Sequence, residues 1–383
     1  MQATGDIAAG ELVFSYPWKR ALVVPADKKR SPFPDFIPHA IWRKSFRGQW
    51  PFYGATAVLY ESYLGSASGL QAFLELLPDS VDIPRHWGPE DLAAMQYSET
   101  AAAVAHSQMQ TVEAFEAFTS ASEATKNFTF EDFAWACDML QTRAFGMPIL
   151  QGTSHPLIRW PLGGLAMAGL GIRLHANRAI KKGEEVLLSY GSKPNAELLL
   201  GYGFVQPGNP HDAFRISAMT VLVQDATARG LLRPHWPPGS LPDDALEGFG
   251  LAQIGTQGID ADDLEALQQI LASHMTSPRG PFPAGLALND IIAQASWKVF
   301  LHVCQSALAA MQTTPQEDER MLREQADLTQ RMQDSLQLRL GHKRLLQGCI
   351  AQTQAALFYL DTVHEAALSA QPKPTSDASH EDL

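Results

Sequence analysis

Asn177–Phe204, NRAIKKGEEVLLSYGSKPNAELLLGYGF, is the stretch that decides how this chain folds. Lys182-Gly183 signals a turn, Val186-Leu187-Leu188 is an apolar run of strand length, and Tyr190-Gly191 closes it. Pro194-Asn195 breaks the chain, and Ala196 to Leu200 then predicts one or two helical turns. Those turns carry Tyr202-Gly203-Phe204 back towards the end of the strand. Two phenols, Tyr190 and Tyr202, are therefore expected to converge, a spacing that ordinary core packing does not demand.

Working outward, the first residues read as strands: Gly10-Glu11 marks a turn, Leu12-Val13-Phe14 runs into Pro17, and Ala21 to Val24 runs into Pro25. From about Ser31 the pattern turns helical. Apolar residues share one face over Ala55 to Leu64 and Gly69 to Leu77, where Pro78 stops the run. Pro89-Glu90-Asp91 opens another helix with acids in its first turn, and a long one covers Ser98 to Phe118. Thr129-Phe130-Glu131-Asp132 has the form of a capping box before Phe133 to Phe145. Strands return near Ile172 and Val186. After Gly208 the signals are helical again: Asp290 to Met311, capped by Asn289 or Asp290, and Glu317 to Leu340, with Met321, Leu328, Met332 and Leu336 on a stripe. Pro/Gly-rich stretches interrupt at Arg233 to Pro242 and at Ser277 to Pro281. No internal repeat is evident.

The pattern GEEVLLSYG-x3-NAELLLGYGF resembles the C-terminal half of the SET domain of protein methyltransferases, in the branch that includes the Rubisco large-subunit lysine methyltransferase and the actin histidine methyltransferase. The PEDL and FEDFAWA stretches at Pro89 and Phe130, and Leu336 to Ile350, resemble that branch's helical insertion and its closing helix. The resemblance implies an α+β fold: a strand-rich SET domain over residues 1–209 with a helical insertion at about 31–140, an all-α substrate-binding domain over 210–370, and a disordered tail at 371–383. It implies an S-adenosyl-L-methionine-dependent protein-lysine N-methyltransferase acting on a protein substrate as a monomer. By the same resemblance Tyr190 is the catalytic tyrosine, Tyr202 and Phe204 line the substrate channel, and Arg143 and Asn195 contact the cofactor. An intracellular site is implied, in the chloroplast or in the cytoplasm or nucleus.

The chain departs from that pattern in two places. Between Arg143 and Asn177 the family carries an Asp-x-x-Asn-His segment, where this sequence has His155 alone; and no glycine-containing cofactor strand precedes the part resembling Ala3 to Leu12. Impaired cofactor binding is the expectation that follows. The alternative is a catalytically silent SET-like module that binds a protein partner.

Composition bounds the function. A chain of 383 residues exceeds one ordinary core, which predicts two domains. Acidic residues outnumber basic ones by 41 to 29, for a net charge of -12, and no basic stripe exists to displace counterions from a phosphate backbone. Nucleic acid is excluded as a partner, and a basic peptide suits this surface better. The longest weakly polar run, Leu162 to Ile172, is far too short to span a bilayer. Cys137, Cys304 and Cys349 are odd in number and far apart, and read as reduced core residues. No CxxC, HExxH or GxSxG occurs, so zinc and serine-nucleophile chemistry is not supported and no metal is expected.

Methyl transfer from a sulfonium to an amine is a direct displacement, which asks the protein to align two reactants and exclude water. Lysine must also arrive neutral, although its unperturbed pKa is about 10.4. An apolar channel that disfavours the ammonium helps, and a phenol adds a hydrogen-bonding oxygen to a water-excluding ring. The plain alternative is two tyrosines at a sheet edge with hydrated hydroxyls. For Arg143 it is a surface arginine at a helix C-terminus, for Asn195 a turn residue after proline, and for Glu184 and Glu185 a solvated loop.

Overall fold

β1 (Leu12–Pro17) pairs antiparallel with β2 (Gly171–His175), placing Phe14 opposite Leu174 and Tyr16 opposite Ile172. The computed structural model describes residues 2–17, 22, 31–45, 50–144, 171–216, 229, 252–274 and 288–369. Its fold is α+β. Two compact units are present: Met1–Leu92, Thr100–Lys193 and Glu197–Val205 in the first, and Ala93–Glu99, Pro194–Ala196 and Gln206–Leu383 in the second. Two short segments upstream of the expected boundary at residue 209 thus group with the second unit.

In the first unit the N-terminal strand continues as isolated bridges, Ile7 with Ile180 and Gln2 with Glu185. Gly183 N donates to Ala3 O at 2.8 Å and Ala3 N to Glu184 O at 2.9 Å. A small cluster of Ala3, Ala176 and Ile180, with Ile7 and Val186 against it, fills this corner. The expected strand at Val186–Leu188 does not form. Regular pairing ends at the Glu185 bridge, and Leu187 is 71% and Leu188 37% exposed. An apolar run becomes a strand only where a partner offers its backbone, and among the described residues none pairs with 186–188. The second expected N-terminal strand, Ala21 to Val24, lies outside the described residues except for Leu22.

The helical part follows in order: α1 (His39–Ser45), α2 (Trp50–Leu64), α3 (Gln71–Leu74), α4 (Pro89–Ala94), α5 (Ser98–Thr119) and α6 (Phe130–Arg143). The capping box at Thr129 is formed: Asp132 N donates to Thr129 Oγ1 at 3.2 Å, and Thr129 N to Asp132 Oδ2 at 2.8 Å. Phe133, Ala136, Cys137 and Leu140 of α6 are buried with Phe52, Ala55 and Leu59 of α2, Trp42 of α1 and Phe118 of α5. Each such large side chain contributes about 1.5–3 kcal/mol of hydrophobic stabilisation. α7 (Asn195–Tyr202) follows the loop at Tyr190.

The second unit is not all-helical. β3 (Ala213–Ile216), β4 (Ala252–Gly255) and β5 (Gly258–Ile259) form an antiparallel sheet in that order. The expectation failed because the strands are very short: Ala-Phe-Arg-Ile alone is no strand signal, and burial of Phe214, Ile216 and Ile254 against the helical core is what stabilises it. The helices are α8 (Ala261–His274), α9 (Leu288–Ala309), α10 (Pro315–Glu324) and α11 (Gln330–Ser369). The sequence predicted one helix over Glu317 to Leu340, which the structure breaks. Thr314 closes a capping box with Glu317 ahead of Pro315, and Thr329 Oγ1 accepts from Met332 N at 3.2 Å to start α11. The break has an electrostatic reason: Asp318 receives Arg339 Nε at 2.9 Å and Lys343 Nζ at 2.6 Å, all three buried. In one continuous helix Asp318 and Arg339 would stand roughly 30 Å apart.

The cysteine expectation also needs correcting. Cys304 on α9 and Cys349 on α11 form a disulfide, their Cα atoms 6.5 Å apart, while Cys137 is free and buried. Forty-five residues separate the pair, so only the packing of the two helices brings them within bridging range. The interval carrying His155 and the tail 371–383 lie outside the described residues.

Candidate active site

Tyr190, Tyr202 and Phe204 come together in the first unit. The Tyr190 ring meets Tyr202 edge to face at a centroid distance of 4.5 Å and Phe204 at 5.2 Å, and Tyr202 and Phe204 are 6.5 Å apart. All three rings are half-buried. Leu199 O accepts from Gly203 N at 3.0 Å as α7 ends, and Gly203 has φ +78°. That left-handed cap turns the chain back so that residues on either side of the glycine face the same ring. A Cβ at Gly203 would also collide with the carbonyl oxygen of Asp82. Glycine is thus required twice, by the backbone angle and by the close approach. Tyr190 reaches the same place from the loop side, followed by Gly191 at φ +87°.

Asn195 is the first residue of α7. It belongs to the second unit and is 3% exposed. Its Nδ2 donates to Gln206 O at 3.1 Å and to Asp212 Oδ2 at 3.0 Å, and its Oδ1 accepts from Gln206 N at 3.0 Å and from Asn209 Nδ2 at 3.3 Å. Both donors and both lone pairs of the amide are therefore used. Even its backbone N is held, by Asp212 Oδ1 at 2.9 Å, and burial pushes that aspartate's pKa up. A cofactor contact through this side chain would require one of those bonds to break.

Arg143 ends α6 with its side chain exposed, and Nη1 donates to Thr142 Oγ1 at 2.6 Å. Two residues earlier, Gln141 Nε2 donates to Leu200 O at 3.3 Å, so the end of α6 is tied to the helix that carries Tyr202. Glu184 accepts from Arg178 at 2.6 Å and from Lys181 N at 2.9 Å, bonds that hold its pKa down and make it a turn residue. Sequence reasoning missed the support beneath the rings, Asp82-Ile83 and Asp138. A carboxylate on the apolar face of α6 was the one available signal.

These features fit S-adenosylmethionine in part. Electron-rich aromatic faces suit a cationic sulfonium and a methylated ammonium, and an exposed guanidinium suits a carboxylate. The committed amide of Asn195 does not fit a ligand role, and residues 145–170 lie outside the described residues.

Comparison with known proteins agrees. Against the solved SET domain of LSMT bound to methyllysine and AdoHcy, the TM-score is 0.63 at 17% identity, covering 97% of this chain and 90% of that one. The chain therefore has the fold of the SET-domain methyltransferases. Residues 244–346 match the Rubisco LSMT substrate-binding family. Over 383 aligned residues the chain is 26% identical to the chloroplastic ribulose-1,5-bisphosphate carboxylase/oxygenase large subunit N-methyltransferase of Nicotiana tabacum, spanning 90% of this chain and 73% of that protein. It is 23% identical to the chloroplastic fructose-bisphosphate aldolase-lysine N-methyltransferase of Arabidopsis thaliana, spanning 78% and 67%. The chain is thus similar to the Rubisco LSMT-like SET methyltransferases.

Proposed function

We propose that this chain is an S-adenosylmethionine-dependent protein-lysine N-methyltransferase, with Tyr190, Tyr202 and Phe204 as its acceptor site. The observation that carries the reading is the packing of two phenols and a phenyl ring around one point. When bound, S-adenosylmethionine supplies an electrophilic sulfonium methyl. The rings exclude water and disfavour the ammonium, so a lysine between them loses its proton more readily than in solution. The Tyr190 hydroxyl orients the acceptor nitrogen, while the faces of Tyr202 and Phe204 hold a methylated product cation. Arg143 takes the amino-acid carboxylate of the cofactor, and Asn195 serves as an anchor rather than a ligand. The first unit is read as the catalytic SET domain and the second as the domain that docks the protein substrate. Nothing favours the catalytically silent alternative.

The test is transfer of radiolabel from S-adenosylmethionine to purified Rubisco and to fructose-bisphosphate aldolase, acceptors named for the relatives, with hydrolysis to identify methyl-lysine. Label that appears with the wild-type chain and vanishes with Tyr190→Phe supports the reading. Calorimetry with S-adenosylmethionine runs in parallel. Absence of both binding and transfer would overturn it.

A further inference from the structure

The turn that presents Tyr202 and Phe204 rests on a buttress that leads to one buried carboxylate. Gly203 lies against the backbone of Asp82 and the side chain of Ile83, closely enough that no Cβ fits. Residues 82–87 form a tight unit: Trp87 Nε1 donates to Asp82 Oδ1 at 2.8 Å, and His86 N donates to Ile83 O at 2.9 Å. Asp138 pins this unit to α6. Arg85 forms an ion pair with its Oδ1, and His86 Nε2 lies 2.6 Å from its Oδ2. α5 adds two further ties, Arg85 Nη1 donating to Thr111 Oγ1 at 3.2 Å and Gln108 Nε2 to Arg85 O at 2.8 Å. α6 also grips the other side of the turn, through Gln141 and Leu200 O. The contacts close a ring: α6, residues 82–87, Gly203, α7 and back to α6.

We propose that Asp138 is a positioning residue which, through Arg85 and His86, sets the angle at which Tyr202 and Phe204 face Tyr190. A carboxylate buried on a helix that also buries Phe133, Cys137 and Leu140 is costly unless paired. Both partners it holds belong to the segment beneath the aromatic turn. Were stability its only role, a pair anywhere on that helix face would serve. Its importance for acceptor chemistry rests on the methyltransferase reading; its control of ring geometry does not.

The experiment reads that geometry directly, with no methyl transfer required. Phe204→4-fluorophenylalanine places a 19F reporter whose shift depends on the neighbouring Tyr190 ring. The full-length labelled chain is compared with the same chain carrying Asp138→Asn, His86→Gln, or Val58→Ala, a core truncation on α2 outside the ring of contacts. The expected result is a shifted or exchange-broadened resonance in Asp138→Asn and His86→Gln, and an unmoved one in Val58→Ala at a comparable loss of thermal stability. An unmoved resonance in folded Asp138→Asn and His86→Gln would overturn the proposal, as would an equal shift in Val58→Ala. If Asp138→Asn does not fold, the partly exposed His86 decides, since its replacement removes one bond to Asp138 and leaves Arg85 in place. A moved resonance beside a wild-type chain that neither binds S-adenosylmethionine nor transfers a methyl group would sink the methyltransferase reading and leave this one standing.

Discussion

Replacing His342 by leucine should remove much of this protein's acid sensitivity. His342 lies on α11 in the core of the second unit, fully buried, its ring edge to face with Tyr97 at 4.5 Å and with Phe214 at 5.2 Å. Neither ring nitrogen has a hydrogen-bond partner among the described residues. Burial therefore penalises the imidazolium and pushes the pKa down from 6.5 to about 3. Below pH 6.5 the unfolded chain takes up a proton that the folded chain refuses. The stability linked to this histidine is complete above that value and is lost as the pH falls towards 3. At roughly 1.4 kcal/mol per pH unit, the loss is about 2 kcal/mol at about pH 5 and about 5 kcal/mol at the lower end of the window. Urea unfolding of wild type and His342→Leu near neutral pH and near pH 5, with hydrogen exchange of α11 amides as a local probe, measures the difference. Carboxylates titrate in both proteins and cancel. His342→Leu also removes two orphaned polar atoms, so near neutrality it should be no less stable than wild type. Equal loss of stability on acidification in the two proteins would refute the reasoning.

Other outcomes follow from particular contacts. Tyr190→Phe should lower methyl transfer by roughly 10²-fold or more, the scale seen when one preorganised hydrogen-bonding group is lost, with an unchanged circular dichroism spectrum. Gly203→Ala should cost about 1–2 kcal/mol from the left-handed backbone alone, and more from the collision with Asp82 O, measured by urea midpoint. Asp318→Asn removes the carboxylate between Arg339 and Lys343, and a buried pair broken on one side costs about 3–5 kcal/mol. Burial raises the pKa of Asp318, but bonds from Arg339, Lys343 and Thr313 bring it below the ordinary value, so the wild-type network should survive mild acid. Asn195→Ala should lower thermal stability while leaving S-adenosylmethionine affinity in calorimetry unchanged.

Local chemistry was legible in the sequence wherever one short segment contained the whole signal. The Thr129 capping box, the acidic start of α4, the span of α5 and the reversal of the chain at Tyr202-Gly203-Phe204 depend on neighbours within a few residues, and each is present as read. The start of α10 was equally available, since Thr314, Pro315 and Glu317 form a helix-opening pattern that the longer apolar stripe obscured. What no segment carried was partnership. Val186–Leu188 has strand composition but no partner strand among the described residues, whereas Ala213–Ile216 has little strand signal and becomes β3 because β4 and a helical core receive it. The break between α10 and α11, the pairing of Cys304 with Cys349 and the commitment of Asn195 to Asp212 likewise depend on groups far away along the chain. Turns and caps are decided by backbone angles and adjacent side chains, which the order of residues specifies. Pairing of strands, buried charges and thiols is decided by which distant groups the packed core brings within a few ångströms, and that is a property of the tertiary structure alone.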